Sequence, residues 1–357
     1  MQSIEPFNHE LATKAEKLGK LPKEWLEVIY QEKWFQLFVP KSLNGLGMDF
    51  LEALKVEEKL ARLDGSLGWT VTLCAGAAWF TGFLNESLCN EVFPKKDLCF
   101  AGSGYVGGKA QKIGNEYLIQ GSWTYASGAL HATHFTANCE LIENGNPLLD
   151  DQGNPIIKAF ILKKEEVEIL DGWNYMGMIA TGSHAFKADK ISVPLNRCFE
   201  IKPKMATLED PIFQVPFLQF AEATLAVNIL GIASHLIDLV EESFWMRHDY
   251  RSYDKKHLAY FESILSNKRK KLKKQKKKFY DQVEVFWESL EKDRKSSEQH
   301  LSDVSKYSRK LTGTCRKATS ELFPFSGLHG AKTQTELNRV WRDFNTVSQH
   351  SLLIFPF

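Results

Sequence analysis

Three regimes of hydrophobic patterning follow one another along the chain. From Glu10 to about Phe93 apolar residues recur at helical spacing: Leu11, Ala15 and Leu18 form one stripe, and Leu51, Leu54, Val56 and Leu60 lie close to another. Between them Phe38, Val39, Pro40, Leu43, Gly45, Leu46 and Gly47 form an extended connection, because proline and paired glycines interrupt a helix. A further helix is expected from Phe50 through Arg62. The segment Ser66 to Phe83, rich in Ala, Gly, Thr and Trp, suits a helix buried against close neighbours.

After Leu98 the period changes to two, with turn residues at short intervals, which predicts antiparallel strands. Tyr117, Ile119, Gly121, Trp123 and Tyr125 read as one strand, and Phe135, Ala137 and Cys139 as another. A loop follows over Asn144 to Asn154, then a strand from Ile156 to Leu162, with strands continuing to Val193. Helical spacing returns from Phe213. Phe217 to Val240 is apolar on most faces, which predicts a buried bundle helix that also mediates self-association. Charged helices come after it.

This order of helices, antiparallel strands and helices divides the 357 residues into three expected units: 1–97, 98–203 and 204–357. Lys plus Arg number 45 against 44 Asp plus Glu, so the overall charge favours neither nucleic acid nor an anionic membrane. Met1 to His9 lacks the pattern of a targeting signal, and no window approaches the roughly 18 apolar residues of a membrane span; a cytoplasmic protein is expected. Six scattered cysteines without a CxxC read as reduced thiols, and no metal site is expected. The run Lys268 to Lys278 stands out as a local concentration of positive charge, either the solvated face of a long helix or a phosphate-binding surface.

Four segments carry a resemblance to a known family. They are Val39-Pro40 with Gly45-Leu46-Gly47; Gly121-Ser122-Trp123-Thr124-Tyr125-Ala126-Ser127-Gly128; the run Gly172-Trp173, Gly177-Met178, Thr181-Gly182-Ser183-His184 and Val193-Pro194; and Arg339-Val340-Trp341-Arg342-Asp343 with Ser348-Gln349-His350. Together they resemble the acyl-CoA dehydrogenase superfamily, and most closely its two-component flavin-dependent monooxygenase branch. The resemblance implies an α+β fold with an N-terminal helical domain, a central antiparallel β-barrel and a C-terminal helical bundle. It also implies FAD, or FMN used as a diffusible substrate, a partner flavin reductase, a small-molecule substrate, and a homodimer or homotetramer.

The site residues follow from the same resemblance. Trp123, Tyr125, Ser127, Thr181, Ser183, Gly327 and Arg342 are the expected flavin contacts, with Ser127 and His350 at the ring's reactive edge as the catalytic pair. His131 and His134, just after the flavin strand, are candidates for contact with substrate. Phe325 to Gly330 partly resembles the family's Gly-rich turn that receives the pyrophosphate. A dehydrogenase needs a carboxylate base beside the flavin. Ser351 stands where that base is commonest in the family, and no Asp or Glu lies between Asp343 and the C-terminus. A histidine there suits the oxygenase branch, in which reduced flavin reacts with dioxygen and the imidazole assists proton transfer or keeps water out. Arg342 is expected to be buried and paired, since an unpaired guanidinium on an apolar helix is costly. Oxygenation is the favoured chemistry; acyl-CoA dehydrogenation, or a non-catalytic scaffold that binds an anionic partner, are the alternatives.

Overall fold

Of the five N-terminal helices, four begin where a short polar side chain caps them, and the second begins after Pro22 without such a cap. In the computed structural model, which describes residues 7–355, the five are α1 (His9–Leu18), α2 (Lys23–Gln31), α3 (Phe50–Leu63), α4 (Gly65–Ala78) and α5 (Glu86–Val92). Asp49 starts α3 by accepting the Glu52 N–H at 2.7 Å, and Asp64 starts α4 by accepting the Leu67 N–H at 3.0 Å. Most of Met1 to His9, where a targeting signal was sought, lies outside the described residues.

The sheet contains β1 (Phe100–Ile113), β2 (Glu116–Trp123), β3 (His134–Glu143), β4 (Asn146–Pro147), β5 (Ile157–Lys163), β6 (Glu168–Leu170), β7 (Ala185–Pro194) and β8 (Cys198–Phe199). Its path runs β6-β7-β2-β1-β3-β5-β8, with β4 on β3. This corrects the expected antiparallel barrel in two respects. The sheet is mixed, because β1 and β3 run parallel, from Phe100 opposite His134 to Gln111 opposite Ile142. It is also open, since no pairing joins β6 to β8 among the described residues. The physical reason is the crossover 124–133, which leaves β2, passes the end of β1 and returns beside it in the same direction. That crossover carries Ser127.

The C-terminal part is α6 (Phe217–Arg251), α7 (Lys255–Asp293), α8 (Glu298–Leu322), α9 (Leu328–Ala331) and α10 (Glu336–Val347). The N-terminal helices and this bundle share one core: Trp79 stacks on Phe220 at 4.5 Å, and Phe50 stacks on Phe220 at 5.7 Å. The sheet has a second core around Trp123, Phe135, Phe160 and Phe186. α6 corrects the expectation about membrane spans, being long and apolar enough to cross a bilayer by length and composition. However, 78% of its most apolar window is buried inside this chain. Its apolar circumference is thus explained by packing against α3, α4, α8 and α10, and does not by itself require a second copy.

Candidate functional site

β2 ends because Tyr125 adopts a positive φ of 64°, which turns the chain out of the strand. The turn is then sewn to the segment after Gly177: the Ala126 N–H donates to the His184 carbonyl at 3.0 Å and the Gly128 N–H to the Thr181 carbonyl at 2.8 Å. Gly128 has φ 78° and lies against α4, where a Cβ would come within 2.6 Å of the Cys74 sulfur. Only glycine satisfies both constraints. These contacts bring together three hydroxyls that are far apart in sequence.

The hydroxyls form one chain with a defined direction. Trp69 Nε1 donates to Ser127 Oγ at 3.1 Å, Ser127 Oγ is 2.8 Å from Ser183 Oγ, and Ser183 Oγ is 2.7 Å from Thr181 Oγ1. Thr181 Oγ1 donates to the Met178 carbonyl at 2.7 Å. A hydroxyl has one proton to give. Since Thr181 gives its proton to a carbonyl, Ser183 must donate to Thr181 and Ser127 to Ser183. Ser127 therefore presents acceptor capacity, with its own proton committed. The chain is buried throughout, so removing a member leaves a buried group unpaired. Ser127→Ala, which strips Trp69 Nε1 of its acceptor, is expected to cost about 1–3 kcal/mol of stability. An unchanged urea midpoint would count against this chain.

His350 approaches the same tryptophan from the C-terminal end. Its ring centroid lies 6.0 Å from that of Trp69, with the planes inclined at 58°. Its Nδ1 is buried with no hydrogen-bond partner, and burial pushes the imidazole's pKa down, which favours the neutral form. The structure thus brings Ser127, Thr181, Ser183 and His350 around one indole. Trp69 was not singled out from sequence, because α4 is apolar around its whole circumference and no periodicity marks the residue facing the site.

α10 fixes the segment bearing Thr181 and Ser183. Asp343 Oδ1 accepts the Met178 N–H at 2.5 Å, and Gly177 lies so close to α10 that a Cβ would fall 2.2 Å from the Arg342 carbonyl oxygen. Burial, then the nearby Asp64 carboxylate, raises the Asp343 carboxyl to about 7 against the pull of Arg339. Arg339, 4% exposed, forms an ion pair with Asp64, 3% exposed. Arg342 is paired as expected: it reaches Glu16 at 2.5 Å, the Met176 carbonyl at 2.7 Å and Asn338 Oδ1 at 2.9 Å. Those partners tie α1 and the 172–178 segment to α10, so the contacts Arg342 makes are structural ones.

The remaining expected residues lie elsewhere. Trp123 is fully buried in the sheet core, donating to the Asn138 carbonyl at 2.8 Å and stacking on Phe186 at 5.0 Å. Reading Trp123 and Tyr125 as one strand had placed them on one face; the turn at 124–125 separates them. Tyr125 is 59% exposed and bonded to the Tyr175 hydroxyl at 3.2 Å, in an aromatic group with Trp173. His131 Nε2 accepts the Leu21 N–H at 3.2 Å, which ties down the chain after α1. His134, 2% exposed, contacts Thr133 Oγ1 at 3.0 Å and packs on Phe100. Neither histidine hydrogen-bonds to the Ser127 chain. Gly327 sits in a turn whose own bonds take up its N–H, and the charged group beside it is Arg247.

Burial sets the acid response of both histidines. Desolvation, followed by Lys20 for His131 and Lys95 for His134, lowers each to about 4 from an ordinary 6.5. A folded pKa below the unfolded value means that the unfolded chain takes up the proton first. Stability is therefore complete above pH 6.5 and drains as pH falls toward 4, by about 3 kcal/mol for His134. His134→Asn is expected to flatten the fall in urea midpoint over that range; an unaltered pH profile would show that His134 does not carry it.

Among the described residues, no carboxylate hydrogen-bonds to Trp69, Ser127, Thr181, Ser183 or His350. The acceptor capacity of Ser127 and the unpartnered His350 Nδ1 fit a flat heterocycle with polar edges, such as a flavin ring.

Comparison with known proteins agrees with this architecture. Residues 3–95 match the family model "Acyl-CoA dehydrogenase, N-terminal domain", and residues 223–355 match "Acyl-CoA dehydrogenase, C-terminal domain". The chain is 24% identical over 363 residues to a pigment production hydroxylase of a Rhodococcus species, covering 99% of this chain and 91% of that protein. It is 25% identical over 241 residues to the flavin-dependent monooxygenase oxygenase subunit HsaA of Mycobacterium tuberculosis, covering 65% of this chain and 59% of that one. Its fold is similar to that of the crystal structure of 3-HSA hydroxylase from Rhodococcus sp. RHA1, with TM-score 0.88, 20% identity, and coverage of 97% and 90% of the two chains. XiaF from a Streptomyces species, in complex with FADH2 and glycerol, is similar with TM-score 0.84 and 20% identity, over 96% of this chain and 88% of that one. The two domain models span both helical parts and well over half of the chain, and on them we conclude that it belongs to the acyl-CoA dehydrogenase superfamily.

Proposed function

We propose that the chain is the oxygenase component of a two-component flavin-dependent monooxygenase, taking FADH2 from a separate flavin reductase and hydroxylating a small aromatic substrate. The observation that carries this reading is the half-buried His350, whose neutral form burial favours, with a buried, unpartnered Nδ1 near the Ser127 chain, to which no carboxylate hydrogen-bonds among the described residues. The reduced flavin supplies the two electrons that let dioxygen give one oxygen atom to the substrate and the other to water. The chain's own residues do the rest. Ser127 accepts a hydrogen bond from the ring's edge, Ser183 and Thr181 hold Ser127 in one orientation, and the Trp69 indole excludes water. His350 holds or passes a proton at Nδ1.

FAD rather than FMN is favoured because the XiaF structure holds FADH2 and a resorcinol hydroxylase relative from a Rhizobium species is FADH2-dependent. The aromatic substrate is suggested by relatives such as indole-3-acetate monooxygenase and by the group of exposed Tyr125 and Tyr175 with half-buried Trp173 beside the Ser127 turn. Six free cysteines suit a cytoplasmic protein, and a homodimer or homotetramer is the assembly the family resemblance implies.

The test is oxygen consumption with FADH2 supplied by an added reductase, across a panel of phenols and indoles. The expected result is that one class of aromatic lowers hydrogen peroxide release and acquires one oxygen atom. If every aromatic leaves peroxide release unchanged while an acyl-CoA bleaches bound FAD, the chain is a dehydrogenase.

A further inference from the structure

The basic run Lys268 to Lys278 lies in α7, and the Ser127 site makes no use of it. Its cations divide into two sets. Lys268 pairs with Glu321, Arg269 with Asp238 and Glu241, Lys276 with Glu58, and Lys277 with Asp281. These are neutralised within the chain. Lys271, Lys274 and Lys278 instead line a groove of about 360 Å³ between α7 and α8, faced by Lys310 and Lys317 from α8. None of these five ammoniums has an ion pair among the described residues, and no Asp or Glu lines the groove.

We propose that this groove binds a compact oligophosphate, of the pyrophosphate and triphosphate class, at a site separate from Ser127 and His350. The proposal does not depend on the oxygenase reading.

Spacing supports it first. Lys271 and Lys278 are seven residues apart, as are Lys310 and Lys317, which is about two helical turns or ~10 Å on one face of each helix. Two rails of positive charge thus face each other over the length of a short phosphate chain. One carboxylate, Glu321, is bound to the groove-lining Lys268 and also attracts Lys317 and Lys271; with a single carboxylate set against this many ammoniums, their mutual repulsion favours a further anion.

Two neutral residues on the groove make the case more specific. Gln275 lines it, and its buried Nε2 has no acceptor among the described residues. Gly313 occupies the middle of α8, where glycine costs about 1 kcal/mol relative to alanine. Packing does not require it: a Cβ there would meet nothing within 4 Å. Its effect is to leave α8 backbone uncovered at the groove, as suits close approach of a ligand. A long nucleic acid is disfavoured, because Arg269 and Lys277, which would extend the track, are already held by carboxylates.

The test is calorimetric titration of the full chain with sodium tripolyphosphate, ATP and orthophosphate at constant ionic strength. Tripolyphosphate is expected to bind once per chain, at least ten-fold more tightly than orthophosphate. Comparable binding of ATP assigns recognition to the phosphate chain itself, and much tighter binding assigns a nucleotide as its source; both support the site. The double variant Lys274→Glu with Lys317→Glu should weaken binding at least ten-fold. The neutral pair Lys274→Gln with Lys317→Gln, which places less charge strain on folding, should weaken it in the same direction. Lys270→Glu with Lys273→Glu, on α7 outside the groove, should leave it unchanged. Multiple weak binding that follows ionic strength alone, equal losses in the on-groove and off-groove pairs, or a groove closed by a second copy and taking up no tripolyphosphate would each overturn the proposal.

Discussion

Arg339→Ala is expected to lower stability by about 3–5 kcal/mol, because it leaves Asp64 charged and buried without its cation. Both partners are almost inaccessible, and Asp64 also caps α4, the helix that supplies Trp69. The damage should therefore spread: loss of Arg339 loosens α10 against α4, and with it the Asp343 anchor on the Met178 N–H. Arg339→Met combined with Asp64→Asn should recover much of the loss, since asparagine still caps a helix and no charge is left unpaired. Urea midpoints of the two variants decide the matter. A loss below about 1 kcal/mol in Arg339→Ala would show that the buried pair does not hold this part of the fold.

His350→Ala is expected to act on chemistry and spare the fold. Its Nδ1 has no protein partner, so truncation strands no hydrogen-bonding group of the chain at that atom. If the imidazole manages a proton beside the flavin, substrate oxygenation should fall by about 10²-fold, with electrons diverted to hydrogen peroxide. Binding of reduced flavin should stay within a few-fold of the parent. Because burial already holds His350 neutral, the parent's coupling of oxygen to product should be constant at neutral pH and weaken only on the acid side of 6.5. Loss of flavin binding with unchanged coupling would assign His350 a structural role instead.

The parts of the fold legible in the sequence were those whose pattern is local. The helix expected from Phe50 to Arg62 is α3, and the buried segment from Phe217 runs on as α6 to Arg251. Periodicity reports which residues share a face, and says little about which strand pairs with which. The parallel pairing of β1 with β3 was invisible for that reason, since it depends on where the crossover 124–133 carries the chain. The same crossover explains the mixed outcome at the site. Ser127, Thr181 and Ser183 were found through their motifs, and the structure joins them in one hydrogen-bonded chain. The strand carrying Trp123 stops there because a positive φ at Tyr125 ends the alternation two residues earlier than the pattern suggests. Trp69 and Asp64 went unnoticed because their roles come from contacts with residues more than fifty positions away.

The direction of the Ser127 chain limits what that residue can do. With its proton committed to Ser183, Ser127 cannot donate to an oxygen species without breaking that buried hydrogen bond. Under the proposed oxygenase reading, this makes His350 the proton-handling group and Ser127 a positioning residue, a sharper division of labour than a pair acting together.

The central claim, that this site captures reduced flavin delivered from solution, is tested most directly by anaerobic titration of the purified chain with FADH2 and, in parallel, with oxidised FAD. A component served by a separate reductase must take up the reduced form and release the oxidised one. The account predicts saturable FADH2 binding at least ten-fold tighter than FAD, weakened by Ser127→Ala. Tight binding of oxidised FAD that an acyl-CoA reduces in the absence of oxygen would contradict it.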